Sequence, residues 1–262
     1  MSADIDFPIV YCNGDSYSDE NVHSTLKSKV YANNVAQECE GFLINKAIQG
    51  SCNRRIIRST VHDIIHQRQL NPTQKIIALI GLTFDLRSEI WIDNLEENTK
   101  PEESNLRTHT FSGQPNWRDN LLGGEEIGTP NRYGLDKKFY KHYSEGRAFF
   151  YSPYAERINL FCDLIMLRSF FESLNIDFLI FRSKVGETLE QEYLLDFFKT
   201  QLASDNRFLN LDTFGFCDWS QKQGYTSVDF EKYGSAAHPG ADGHKAFAHE
   251  ILIPRLKELK FI

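Results

Sequence analysis

The sequence predicts an α/β protein built on a parallel β-sheet with helices on both faces. Short, largely apolar runs at Phe7–Cys12, Lys75–Gly81 and Ile176–Arg182 fit strands buried on both sides. Longer stretches with apolar residues at helical spacing separate them. Strand–helix alternation of this kind closes into a parallel sheet. No internal repeat and no linker composition divides the chain, so a single domain over 1–262 is expected.

Phe7–Cys12 is the first strand, and the glycine and aspartate after it mark a sharp turn. Residues 27–40 have mixed polarity and give no clear pattern. Gly41–Ile48 reads as a second strand ending at Gln49-Gly50. Ser51–Gln67 carries Ile56, Ile57, Val61, Ile64 and Ile65 at helical spacing, which predicts a helix. Lys75–Gly81 is a central strand, and Ile90-Trp91-Ile92 either extends it or starts another. Residues 94–135, rich in Asn, Glu, Gly, Pro and Thr, read as a long insertion of the kind that serves as a lid or flexible loop. A helical pattern returns over 136–174, with Leu160, Leu164 and Leu167 on one face. Ile176–Arg182 is the next buried strand, 188–203 is helical, and 205–237 is irregular and aromatic. A last helix is expected from about Asp242 to Lys260, bent near Pro254.

Composition narrows the function. The chain has 262 residues, 29 basic and 36 acidic, for a formal charge of −7. Such a surface argues against non-specific binding to DNA, RNA or anionic membranes. No basic, apolar leader opens the sequence and no apolar run approaches ~20 residues, so a soluble, cytoplasmic protein is expected. The five cysteines are scattered, with no Cys-x-x-Cys pair, which fits reduced thiols and offers no thiolate zinc site. His62 and His66 stand four apart on a predicted helix, but Asp63 takes the place of the HExxH glutamate, and a solvated or packed face is the better reading. Neither a Gly-x-Gly-x-x-Gly after the first strand nor a Walker-type loop is present, so no nucleotide cofactor is indicated.

Two motifs at opposite ends carry the chemistry. Gly14-Asp15-Ser16-Tyr17-Ser18-Asp19 follows the first strand, and His238-Pro239-Gly240-Ala241-Asp242-Gly243-His244 precedes the last helix. A serine hydroxyl is a weak nucleophile until a neighbouring imidazole takes its proton, and such partners meet in space rather than along the chain. In parallel α/β sheets, sites form outside the carboxyl ends of the strands. Ser16, Gly50 and the Gly81–Arg87 segment each follow a predicted strand and should gather on that edge.

These residues resemble the SGNH (GDSL-type) hydrolase family, with ordered motifs that span nearly the whole chain. Gly14-Asp15-Ser16 matches the nucleophile triplet, Gly50 the second-motif glycine, and His238-Pro239 with Gly243-His244 the continuation of the last motif. The resemblance implies a flavodoxin-like three-layer fold and hydrolysis of carboxylic esters without metal or cofactor. It implies Ser16 as nucleophile, His238 as general base, and the Ser16 and Gly50 amides as oxyanion donors. Two positions depart from the pattern. Thr83 stands where the third motif has an asparagine, and Ser235 stands three residues before His238, where the last motif has an aspartate. Thr83 or Asn53 would then complete the oxyanion site, Asn53 serving equally well as a helix-start residue. Asp229 or Asp218 is a candidate orienting acid, or the acid is missing.

Asp15, Tyr17 and Arg87 are candidate substrate contacts. Arg87 suits a carboxylate or phosphate, and its alternative is a salt bridge to Glu89 or Asp85. In the insertion, His109, Trp117, Arg118, Arg132 and Tyr133 are candidate pocket residues. His244 is expected on the first turn of the last helix in a structural role. The expected partner is a small-molecule or glycan ester, an O-acyl carbohydrate being the finer reading from the family's range. A catalytically weakened binding module and an acyltransferase using the same serine are the rival readings.

Overall fold

A computed structural model of the protein describes residues 7–84, 88–91, 108–111, 153–185, 193–211, 213–229, 231 and 237–262. Strand β1 (Ile9–Asn13) is buried at every position, as is β3 (Ile76–Leu82). That follows from their composition, because only a strand covered on both sides can be apolar at consecutive positions. With β2 (Phe42–Asn45) and β6 (Asp177–Arg182) they form one sheet, ordered β2-β1-β3-β6 and parallel throughout. Beyond β6, isolated parallel bridges join Ile180 to Phe208 and Arg182 to Gly215, where a fifth strand would lie. The order is that of flavodoxin-like sheets, whose ligand crevice opens where the chain reverses direction around the first strand.

Alternate strand residues feed two cores. Tyr11, Ala78, Ile80, Phe178 and Ile180 pack on one face with Ile56 and Ile64 of α2 (Asn53–Leu70) and Leu164 and Phe171 of α3 (Pro153–Ser173). Leu202 of α4 (Tyr193–Ala203) joins that face. Val10, Cys12, Ile77, Leu79 and Phe181 pack on the other face. Their neighbours are Tyr31 and Val35 of α1 (Tyr31–Glu38), Phe216 of α5 (Phe216–Lys222), Phe247 of α6 (Ala241–Phe247) and Leu256 of α7 (Ile253–Glu258). The expected three layers are present.

Several boundaries differ from expectation. Helix α1 falls in the unassigned 27–40 stretch. It is only eight residues long, with two asparagines, and only Tyr31, Ala32, Val35 and Ala36 turn inward. Strand β2 is shorter than expected and, as the sheet's outer strand, leaves Phe42 exposed. Helix α5 lies in the stretch expected to be irregular; its seven residues are too few for a periodic signal. Strand β4 (Ser88–Trp91) pairs antiparallel with β5 (Thr108–Phe111), so a strand lies within the predicted insertion. The rest of 94–135 and the predicted helical residues 136–152 lie outside the described residues. The last helix does change character near Pro254. A π-turn (Ala248–Leu252) precedes α7, whose first turn holds the proline, where its missing N–H costs least.

None of the five cysteines, Cys12, Cys39, Cys52, Cys162 and Cys217, is in a disulfide. No described helix is long and apolar enough to cross a membrane.

Candidate active site

Ser16 stands in a tight turn at the carboxyl end of β1. The Asn13 amide closes the strand, accepting from the Gly14 N–H at 2.9 Å and reaching Ser59 and Thr60 of α2 at 2.9 Å each. At Gly14 an added Cβ would sit 2.3 Å from Ser18 Oγ and 3.0 Å from the Gly81 carbonyl, so only glycine lets β1 turn this close to β3. The Ser18 N–H then returns to the Asp15 carbonyl at 3.0 Å and completes the turn.

Asp15 is the anchor beneath the serine. It is fully buried. Its Oδ1 accepts from the Tyr17 N–H (3.1 Å) and the Ser183 hydroxyl (3.0 Å), and its Oδ2 from the Thr83 hydroxyl (2.6 Å). One carboxylate thus ties together the ends of β1, β3 and β6. Asp15 was expected to contact substrate, and its geometry corrects that, because its oxygens face inward and are occupied. Tyr17 is buried, and its ring lies against that of His238 with centroids 4.8 Å apart.

His238 comes back from the loop before α6 to meet Ser16. Its Nε2 is 2.8 Å from Ser16 Oγ. On the ring's other side, Nδ1 is 2.5 Å from Asp229 Oδ2, and the His238 backbone N–H donates to Asp229 Oδ1 at 2.7 Å. A carboxylate can only accept, so Nδ1 carries the proton and Nε2 presents its lone pair to the serine. Of the two candidate acids, Asp229 occupies this position, nine residues before His238. Asp218 instead accepts from the Val185 N–H at 2.7 Å. Ser235 lies outside the described residues.

Thr83 departs from its expected role. Its single hydroxyl proton goes to Asp15, so none is left for an oxyanion. Asn53, on the first turn of α2, clasps the Thr83 main chain: its Oδ1 accepts from the Thr83 N–H at 2.8 Å and its Nδ2 donates to the Thr83 carbonyl at 3.2 Å. The amide has a second N–H to spare. Gly50 lies in the turn after β2 with φ +81°, a conformation that favours glycine. The Ile48 N–H to the Gly14 carbonyl (3.2 Å) and the Gln49 N–H to Asp19 Oδ2 (3.2 Å) tie that turn to the Ser16 turn. Neither the Ser16 nor the Gly50 N–H donates to an acceptor among the described residues. Two backbone donors therefore stand on the same sheet edge as the serine.

His244 is buried, with Nδ1 accepting from the Tyr31 N–H at 3.3 Å. Burial, with a smaller contribution from nearby His238, pushes its pKa down to about 3, so it is neutral and structural. His62 is largely exposed and pairs with Asp63 at 3.1 Å. Among the described residues no three His, Cys, Asp or Glu side chains cluster as metal ligands do. Arg87, Trp117, Arg118, Arg132 and Tyr133 lie outside the described residues.

No family model and no curated protein matches the sequence. Solved structures with a similar chain path include the esterase EstA from Pseudoalteromonas sp., at 11% identity and TM-score 0.45 over 97% of this chain and 99% of that one. A member of the lipolytic G-D-S-L family from Veillonella parvula is similar at 11% identity and TM-score 0.41, over 94% and 96%. TesA is similar at 13% identity and TM-score 0.46, over 96% and 99%. At these values the reading of the site rests on its own geometry.

Proposed function

We propose that the protein is an SGNH-type serine hydrolase that cleaves carboxylic esters through an acyl-enzyme on Ser16. The observation that carries this reading is the continuous hydrogen-bonded chain from Ser16 Oγ through His238 to Asp229. His238 Nε2 takes the proton from Ser16 as Oγ attacks the acyl carbonyl. The negative charge that develops on the carbonyl oxygen falls to the Ser16 and Gly50 N–H groups, with Asn53 supplying a side-chain donor in place of Thr83. Each such donor contributes about 3 kcal/mol to the transition state by analogy with measured oxyanion holes. His238 returns the proton to the leaving alkoxide. Water then attacks the acyl-enzyme, giving its proton to His238 and releasing the acid and free Ser16. Asp229 keeps the ring in the required tautomer and stabilises the imidazolium that forms.

Asp229 also bears on the weakened binding module considered from the sequence, because that reading drew partly on the missing aspartate at Ser235. An O-acylated carbohydrate is the finer substrate we infer, drawn from the family resemblance alone. Transfer to an alcohol in place of water would use the same acyl-enzyme. The scattered cysteines, with no Cys-x-x-Cys pair, favour a reducing compartment, and with it the cytoplasm.

The test is hydrolysis of short-chain p-nitrophenyl esters by the wild type and Ser16→Ala. Loss of the nucleophile should reduce kcat by roughly 10⁶, to the detection floor. Equal rates in the two proteins would refute the proposal.

A further inference from the structure

Asp229 lies nine residues before His238, and other bonds join the two segments. Its segment is stapled to the histidine loop from outside. Ser227 and Pro239 form an antiparallel bridge, and the Val228 N–H donates to the His238 carbonyl at 3.0 Å. One step further out, the Gly240 N–H donates to the Thr226 carbonyl at 2.7 Å. The carboxylate of Asp242, on the first turn of α6, closes the pair. Its Oδ1 accepts from the Thr226 hydroxyl at 2.5 Å, and its Oδ2 from the Thr226 N–H at 3.1 Å. The Gly243 N–H adds a bond to Oδ1 at 2.9 Å. A side chain at position 240 would spoil the contact, since a Cβ there would sit 2.4 Å from Thr226 Oγ1 and 2.9 Å from Asp242 Oδ1. This accounts for the glycine two residues after the histidine.

We propose that the Thr226–Asp242 clasp is a positioning device for the reaction, holding residues 226–229 against 238–240 so that the Asp229 carboxylate stays on the His238 ring. The inference rests on the hydrolase reading. Thr226 and Asp242 touch neither Ser16 nor the His238 ring; they act through Asp229. A clasp is needed because acid and base sit on separate segments, so thermal motion between the segments would move the carboxylate relative to the ring. Charge-assisted hydrogen bonds from hydroxyl and backbone donors resist that motion better than neutral ones.

The experiment compares kcat and KM for p-nitrophenyl acetate in the full chain carrying Thr226→Val, Thr226→Ser or Tyr225→Phe, each alone and Thr226→Val also in an Asp229→Asn background. Thr226→Val keeps the side chain's shape and removes the hydroxyl donor. A misplacement of about 1 Å near reacting groups costs about 10²-fold, so kcat should fall about ten- to a hundredfold. KM should stay within about twofold, and Thr226→Ser should restore the rate. Tyr225→Phe removes the neighbouring bond from the Tyr225 hydroxyl to Glu250, at 2.9 Å, without touching the clasp, and should leave kcat unchanged. In the Asp229→Asn background, Thr226→Val should have no further effect, because its target is already gone. An unchanged kcat in Thr226→Val overturns the clasp and leaves the hydrolase reading standing. So does an equal fall in Tyr225→Phe, or the same loss with and without Asp229. If the wild type has no Ser16-dependent activity, the hydrolase reading fails and the clasp fails with it.

Discussion

Asp229 grips His238 at two points, with one carboxylate oxygen on the ring Nδ1 and the other on the histidine's own backbone N–H. The double contact fixes both where the loop lies and which way the ring faces. In Asp229→Asn the amide presents N–H where the ring needs an acceptor, so the imidazole loses its preferred tautomer. We expect kcat to fall about 10³- to 10⁴-fold, on the scale seen when a triad acid becomes its amide. Asp218→Asn keeps an oxygen for the Val185 N–H and should leave kcat near the wild-type value. Steady-state kinetics of the two variants side by side would distinguish the acids.

Thr83→Val separates structure from catalysis at the end of β3. The change strips a hydrogen bond from the buried Asp15 carboxylate, a loss of about 1–3 kcal/mol, and urea denaturation should show it. Rates corrected for folded protein should stay within about threefold of wild type, whereas removal of an oxyanion donor costs about 10²- to 10³-fold. A loss on that larger scale would return the hydroxyl to the oxyanion site.

His244 gives the fold a built-in acid sensitivity. The unfolded chain takes up this proton near the ordinary value of 6.5, whereas the folded chain, with the ring buried, takes it up only at about 3. Between those values the unfolded state binds more protons. The contribution of the neutral ring is therefore fully present above about pH 6.5 and drains away as pH falls toward 3, by about 1.4 kcal/mol per unit. In His244→Gln, where nothing titrates at this position, the plot of unfolding free energy against pH should be flatter over that window by the same amount. Parallel curves for variant and wild type would show that His244 is not the group responsible.

Gly50→Ala probes the turn beside the serine. Space is open there, with nothing within 4 Å of an added Cβ, so the whole cost lies in the backbone at φ +81°. Left-handed conformation costs an L-residue roughly 1–2 kcal/mol, and the melting temperature should drop accordingly. If the turn relaxes to relieve that strain, the Gly50 N–H moves and kcat falls while the Ser16–His238 contact survives. Kinetics and calorimetry on the same preparation would show both effects.

Much of this site could be read from the sequence because its parts follow strands. Ser16 and Gly50 come directly after apolar runs, and His238 carries the marked Pro-Gly continuation. The parallel sheet was legible for the same reason, since Ile76–Leu82 and Asp177–Arg182 are apolar almost throughout. Asp229 was only one of two candidates. It reaches His238 through a long-range bridge between irregular segments, and no spacing rule encodes such a bridge. Asp15 and Thr83 were misjudged because sequence gives neighbourhood and not direction. Each adjoins or faces the Ser16 turn, but the side chains point into the protein, where the buried carboxylate gathers the hydroxyls of Thr83 and Ser183.

The most direct test of the central claim is covalent capture. Wild type, Ser16→Ala and His238→Ala would be treated with a small fluorophosphonate and digested, and the adduct located by mass spectrometry. The Ser16–His238–Asp229 account predicts one phosphonyl group on the peptide containing Ser16 in the wild type, none in Ser16→Ala, and labelling slowed by orders of magnitude in His238→Ala. A wild type that takes no label at Ser16, or one that labels as fast without His238 as with it, would contradict the account.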